Sequence, residues 1–110
     1  MTNWKDICSV DDILPNSGRC ALHQGEQVAV FRVRKDDGEK FYAVGNYDPF
    51  GDANVISRGI VGNLGDSIVV ASPLYKQHFC LDSGRCLEDE TVTLKTWPIR
   101  VQDDRVQLAA

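Results

Sequence analysis

The side chains best suited to metal binding or nucleophilic chemistry are four cysteines and two histidines. They occur singly along the chain, as Cys8, Cys20, His23, His78, Cys80 and Cys86. Structural zinc sites need closely spaced ligand pairs such as Cys-x-x-Cys, and the sequence contains none. A cytosolic chain of this size also needs no disulfide bond to fold. We therefore predict reduced thiols and no structural metal site.

Among the carboxylates, Asp48 could be read as a catalytic acid. No motif places a second carboxylate, a histidine or a nucleophile beside it, and an aspartate before a proline is typical of a turn. The sequence also lacks a Gly-x-Gly-x-x-Gly motif after a strand, which a dinucleotide site requires. We predict that Asp48 is a turn residue and that this chain has no catalytic or cofactor-binding residues.

The composition is typical of one globular domain spanning residues 1–110, with 43% hydrophobic and 25% charged residues. Sixteen acidic and 12 basic residues give a formal charge of −4, which opposes nucleic-acid binding. No uncharged run approaches the roughly 20 apolar residues of a membrane-spanning helix, and the N-terminal residues lack a basic leader with an apolar core. We expect a cytoplasmic chain whose partner is a protein, not a nucleic acid or a membrane.

The elements that must position these residues are short strands separated by frequent turn signals. Pairs such as Gln24-Gly25 and Asp103-Asp104 can reverse the chain. Apolar or alternating stretches between turns predict strands over residues 27–34, 40–45, 67–71, 77–81, 99–101 and 105–108. One helical turn is predicted over residues 10–14, capped by Ser9 and ended by Pro15. The pattern predicts an all-β fold, an antiparallel sandwich or small barrel.

Two longer connections interrupt the succession of short turns. Loop 1 spans residues 46–54 and loop 2 spans residues 72–76; each contains a proline and an aromatic residue, and each follows an apolar strand. Loops held on a rigid scaffold commonly carry function. We therefore expect both loops at the rim of the fold.

These loops resemble those of the Rieske iron–sulfur domain. That family has Cys-Pro-His in its first loop and Cys-Pro-x-His-Gly in its second, and both prolines recur in this chain. Asn46, Phe79 and Gly84 also keep the family pattern. All four cluster-ligand positions are replaced, by Asp48, Phe50, Ser72 and Tyr75. The resemblance implies a Rieske-like fold with the two loops adjacent at one end.

The replacements bear directly on the cofactor. A Rieske [2Fe–2S] cluster is held by two thiolates and two imidazoles. Phe50 cannot ligate iron, and Ser72 and Tyr75 are hard oxygen groups, poorly matched to a sulfide-bridged iron pair. His78 lies three residues beyond the expected imidazole position. The resemblance therefore implies the fold without its cluster.

A closer resemblance is to the small subunit of bacterial NAD(P)H-dependent, assimilatory-type nitrite reductase. It rests on stretches throughout the chain, at residues 4–8, 11–15, 27–31, 56–60, 71–77 and 86–90. The resemblance implies a role in nitrate assimilation and a large-subunit partner that carries FAD, an iron–sulfur cluster and sirohaem. That partner takes electrons from NADH or NADPH and reduces nitrite to ammonium.

The ligand-replaced loops then become candidates for partner binding. Of Phe50 and Tyr75, we expect one to fill the space of the missing cluster and the other to stay exposed. Lys76, Gln77 and His78, with Arg58 across from them, are candidate partner contacts, although a solvated rim would have the same composition. Residues 88–90 are expected to form a solvated acidic face. A Rieske-type electron carrier and an unrelated protein-binding β domain remain as alternatives.

Overall fold

A computed structural model describes residues 3–36, 38–74 and 76–109. The strands are β1 Trp4–Ser9, β2 Ser17–His23, β3 Glu26–Lys35, β4 Gly38–Gly45, β5 Tyr47–Asp48, β6 Ala53–Asn54, β7 Ile60–Leu64, β8 Ser67–Ala71, β9 His78–Cys80, β10 Ile99–Gln102 and β11 Arg105–Ala109. Val10–Asp12 and Ile56–Arg58 form 3₁₀ turns. Every pairing between these strands is antiparallel, so the predicted all-β fold is confirmed. No helix of the described residues is long and apolar enough to cross a membrane.

The central sheet has the order β2–β3–β4. Its middle strand is buried on both faces, because Val28 and Val30 pack with residues of β11 while Ala29 and Phe31 pack with residues of β8 and β9. A strand covered on both faces has no polar side, which explains the run of four apolar, buried residues at positions 28–31 of β3. Its second half alternates polar and apolar residues, as predicted.

A second sheet, β1–β11–β10, covers one face of the central sheet. Asp103 and Asp104 both adopt left-handed backbone angles, with φ of 53° and 62°, and form the predicted two-residue turn between β10 and β11. Val106 and Leu108 of β11 are fully buried against β3. This sheet closes the core on the side away from loop 2.

The predicted helical turn near the N-terminus is present but shorter than expected. The Ser9 hydroxyl accepts a hydrogen bond from Asp11 N (3.3 Å), and Asp12 accepts one from Ser9 N (2.9 Å), so the turn is capped as predicted. The predicted extent of residues 10–14 is wrong, because the turn ends at Asp12. Ile13 is already extended and buried in the core, so packing ends the turn before Pro15 does.

The third sheet, β7–β8–β9, covers the other face of the central sheet and carries loop 2 between β8 and β9. β8 spans the predicted residues, and β9 is shorter than the predicted 77–81. Val70 and Phe79 are fully buried register partners facing the core. Loop 1 follows β4, and the central and third sheets therefore hold the two loops.

Candidate functional site

The two loops meet at one end of the fold, as the sequence predicts. The Ser72 hydroxyl of loop 2 donates a hydrogen bond to the Asp48 carboxylate of loop 1, and both side chains are buried. A Cβ atom on Gly51 would collide with the side chain of Leu74, so loop 1 also packs closely against loop 2 through a residue that has no side chain. The junction is therefore a direct contact between two of the replaced ligand positions.

The two loops have the same backbone design. Asp52 N donates to Asp48 O (2.8 Å) in loop 1, and Lys76 N donates to Ser72 O (3.1 Å) in loop 2. The closing residue is left-handed in both, with φ of 52° at Asp52 and 62° at Lys76. In both loops, the residue where the Rieske pattern has its cysteine thus accepts a backbone hydrogen bond from the residue four positions further on.

Asp48 forms the turn that the sequence predicts, and its carboxylate also joins loop 1 to loop 2. One carboxylate oxygen accepts hydrogen bonds from Phe50 N (2.9 Å) and Gly51 N (3.2 Å), and the other accepts the Ser72 hydroxyl. The Ser72 oxygen in turn accepts a hydrogen bond from Leu74 N (3.3 Å). Sequence reasoning missed this connection, although the equivalent positions of Asp48 and Ser72 before the two prolines were the available signal.

Phe50 is the aromatic residue that packs inward. Its ring lies 6.2 Å from that of Phe79 between centroids, tilted by 43°, and it packs against the core cluster. The expectation that an aromatic fills the space of the missing cluster therefore applies to Phe50. Tyr75 lies outside the described residues, so its exposure stays a prediction.

Asn46 fixes the start of loop 1. Its buried amide nitrogen donates to Gln27 Oε1 (3.0 Å) and Asn54 O (3.2 Å), while its amide oxygen accepts from Ser57 N (2.7 Å). One side chain thus ties β3, both ends of loop 1 and the second 3₁₀ turn together. This gives a physical reason for an asparagine at the position where the chain keeps the Rieske pattern.

His78 is tied to Glu88. The His78 backbone N–H donates to Glu88 Oε1 (2.7 Å), and the His78 ring Nδ1 lies 2.6 Å from Oε2. Partial burial raises the pKa of the Glu88 carboxyl, but the hydrogen bonds and charge of His78 outweigh this and hold the pKa below its ordinary value. Glu88 is exposed, as expected of an acidic face, yet its carboxylate has a structural partner that the sequence did not suggest.

The remaining candidate contacts lie at the same end. Arg58 ends the second 3₁₀ turn, and Lys76 ends loop 2; both are exposed. Gln77 is half-buried, and its backbone carbonyl accepts a hydrogen bond from Ser72 N (2.9 Å). Among the described residues, Gln77 Oε1 is buried and has no hydrogen-bond donor. The structure therefore groups the predicted polar residues around loop 2.

The residues at the loop junction do not fit a [2Fe–2S] cluster. Such a cluster needs two thiolates and two imidazoles, and the four positions hold a carboxylate, a phenyl ring, a hydroxyl and, outside the described residues, the Tyr75 phenol. Asp48 and Ser72 are bonded to each other, and Phe50 packs into the core. The four free cysteines all lie outside the two loops. In the described part of the chain, no three acidic, histidine or cysteine residues are grouped to bind a metal ion.

The fold and its loop pair define a class of protein. Residues 3–109 match the Rieske-like [2Fe-2S] domain family, and the chain belongs to it. Within that class, the chain is 48% identical to the nitrite reductase (NADH) small subunit of Salmonella typhimurium over 98% of both chains. The NMR structure of the Escherichia coli protein NirD superposes with a TM-score of 0.88, at 47% identity, covering 100% of this chain and 98% of that one. The chain belongs to the family of nitrite reductase small subunits.

A further relative places the same domain in a different context. The nitrite reductase [NAD(P)H] large subunit of Klebsiella oxytoca is 37% identical over 103 residues, which are 94% of this chain and 10% of that protein. In that organism, a region similar to this chain is therefore part of a large-subunit polypeptide.

Proposed function

We propose that this chain is a cofactor-free subunit of an NAD(P)H-dependent nitrite reductase and that it docks on the large catalytic subunit. In this proposal, residues 1–110 are one Rieske-like domain without the cluster ligands, and they have no independent active site. The enzyme reduces nitrite to ammonium, and the small subunit contributes through binding.

The Klebsiella oxytoca large subunit is the observation that carries this proposal. A domain that is a separate chain in one organism and part of the large subunit in another is expected to occupy the same position in both assemblies. The fused relative therefore supports the large subunit as the partner of this chain.

The cofactors of the reaction are proposed to lie on the large subunit. Reduction of nitrite to ammonium requires electron-carrying groups, here FAD, an iron–sulfur cluster and sirohaem, which perform the chemistry while the protein positions them. The ligand replacements at Asp48, Phe50, Ser72 and Tyr75 support a small subunit without a redox centre. We propose the cytoplasm as the location of the complex, where NADH and NADPH are available.

The end that bears the two loops is the proposed docking end. In this proposal, Phe50 supports the surface from beneath, and the polar residues around loop 2 contact the partner. The proposed partner-binding residues are Phe50, Arg58, Tyr75, Lys76, Gln77 and His78.

The two alternatives have less support. A Rieske-type electron carrier requires the four ligands that this chain has replaced. An unrelated protein-binding β domain is difficult to reconcile with 48% identity to nitrite reductase small subunits along the whole chain.

The proposal is tested by affinity purification. A tagged form of the chain, expressed in its own cells grown with nitrite, is expected to recover a larger chain containing flavin and sirohaem, identified by mass spectrometry and absorbance. A tagged Rieske ferredoxin serves as the control for nonspecific recovery. Recovery of the tagged chain alone, from lysates in which the large subunit is detected, would reject the proposal.

A further inference from the structure

Beside loop 2, the sheet of β7, β8 and β9 presents a row of residues that faces outward. Ile60, Ala71 and His78 are register partners on the three neighbouring strands. The adjacent residues Val70 and Phe79 pack in the core. Since side chains alternate between the two faces of a strand, the row that contains Ile60 points away from the core.

Exposed apolar side chains are grouped along this row. Leu87 N donates to His78 O (2.8 Å), so Leu87 lies beside the row, and Leu74 belongs to the loop that joins its last two strands. The exposed fractions are 76% for Ile60, 45% for Leu74 and 41% for Leu87. Three spacings of about 4.8 Å separate Ile60 from Leu87, a distance of about 14 Å across the row. Grouped apolar exposure of this kind marks an interaction surface.

Two cations border the apolar residues. Arg58 precedes Ile60 by two residues, and Lys76 precedes His78 by two, so both lie at the loop end of this sheet. Neither forms an ion pair with a carboxylate in residues 3–36, 38–74 or 76–109. The whole chain carries a charge of −4, so this positive border opposes the net charge.

We infer that the surface formed by Ile60, Leu74 and Leu87, with Arg58 and Lys76 at its border, is the face that binds the large subunit. The inference rests on the proposed function and names the contact chemistry. The partner presents apolar side chains bordered by carboxylates, because apolar contact supplies affinity at the centre and opposite charges steer association at the rim. This face includes β7, a strand that contains none of the predicted partner contacts.

The test is a binding titration between the full-length chain and the purified large subunit at low and high salt. Ile60→Ser and Leu87→Ser are expected to weaken binding by at least about fivefold each, the loss typical of central interface residues. Val101→Ser is the matched control, since Val101 is 40% exposed but lies on β10 of the second sheet. Arg58→Glu and Lys76→Glu are expected to weaken binding at low salt and to reduce its salt dependence. Lys5→Glu, on β1, is the charge control.

The outcomes separate this inference from the proposed function. Weaker binding by the four surface variants, with both controls like the unchanged chain and all thermal melts unaltered, supports the inference. Binding of the large subunit by Ile60→Ser and Leu87→Ser with the affinity of the unchanged chain overturns the inference, whatever the charge variants do, and leaves the proposed docking on the large subunit intact. Failure of the unchanged chain to bind overturns both.

Discussion

Asp48 and Ser72 stand where the Rieske pattern has cysteines, and in this chain they hold the two loops together themselves. The buried carboxylate accepts two backbone N–H groups of its own loop and the hydroxyl of the other loop. Each loop thus keeps a side-chain anchor at the position where the Rieske pattern has its cysteine. A cluster is not needed to connect the loops, because the hydrogen bond already does so.

The first prediction concerns that hydrogen bond. Ser72→Ala removes the donor from one oxygen of a buried carboxylate, and an unsatisfied buried acceptor costs about 1–3 kcal/mol. Urea unfolding at neutral pH should show this loss in the free energy of unfolding. Ser67→Ala is the control, because Ser67 is half-buried and forms no side-chain hydrogen bond among the described residues. Equal losses in both variants would contradict the anchoring role of Ser72.

Glu88 provides a prediction about pH. Its folded pKa lies below the ordinary value because of His78, so it stabilises the folded state above its unfolded pKa of about 4.5, and this contribution is lost as pH falls through the folded pKa. Glu88→Gln should therefore lower stability by at most about 1 kcal/mol at neutral pH, since the pair is partly exposed.

The difference between Glu88→Gln and the unchanged chain should shrink towards acid pH. Urea unfolding at pH 7 and at pH 3 measures it. Glu90→Gln is the control, because Glu90 lies 3.6 Å from Arg85 and is largely exposed. A Glu88→Gln difference that grows on acidification would show that the carboxylate is not stabilised by His78.

The elements show where sequence patterns suffice and where they do not. The sequence predicts β8 over its observed residues. It predicts each end of β3 and β4 to within two residues, because these strands are largely apolar and bounded by clear turns. β1, β2 and β7 were missed. These strands lie at sheet edges, where many side chains are exposed, so their residues carry little apolar pattern.

The same limit applies to the site. The resemblance identified both loops and all four replaced positions, and the tendency of aspartate to form turns predicted the role of Asp48. The Asp48–Ser72 and His78–Glu88 bonds join residues 24 and 10 positions apart. Local sequence patterns do not predict such contacts, because only the packing of the sheets brings the two residues of each pair together.

Glycines at chain reversals give a prediction at the scale of elements. Gly84 has φ of 81°, and a Cβ there would collide with the carbonyl oxygen of Leu94. Gly25 has nearly the same φ, 79°, but nothing lies within 4 Å of its Cβ position. Gly25→Ala should cost only the left-handed backbone energy, about 1–2 kcal/mol, whereas Gly84→Ala should cost clearly more because of the collision.

Urea unfolding of the two alanine variants measures their free energies of unfolding. The two positions have nearly the same φ, so the variants differ in the space available to the added Cβ atom. Equal destabilisation would mean that the hairpin after β9 can shift without cost. A larger loss in Gly84→Ala supports the close approach of this hairpin to the segment containing Leu94.

At the scale of the whole molecule, the fold keeps the two adjacent loops of a Rieske domain but not the side chains that ligate its cluster. The central sheet is covered on both faces, so loop 1 and loop 2 are held on a rigid scaffold. Their facing side chains form hydrogen bonds and core contacts where the Rieske pattern has ligands. We propose that the remaining exposed residues at this end contact the large subunit.

Iron content tests the proposal that this chain binds no iron–sulfur cluster. Protein expressed with ample iron and sulfide, and then reconstituted under anaerobic conditions, should stay colourless, because none of the four positions holds cysteine or histidine. A Rieske ferredoxin treated in parallel should gain colour. Stoichiometric iron with a visible iron–sulfur charge-transfer band in this chain would contradict the prediction.

The most direct measurement is a titration of the purified large subunit with the iron-free chain, followed by calorimetry and by nitrite-dependent oxidation of NADH or NADPH. We predict saturable binding by colourless protein, with no nitrite reduction and no nicotinamide oxidation by the isolated chain. Absence of binding, or binding only by an iron-loaded fraction, would contradict the account of a Rieske-like domain that acts by docking without a cluster.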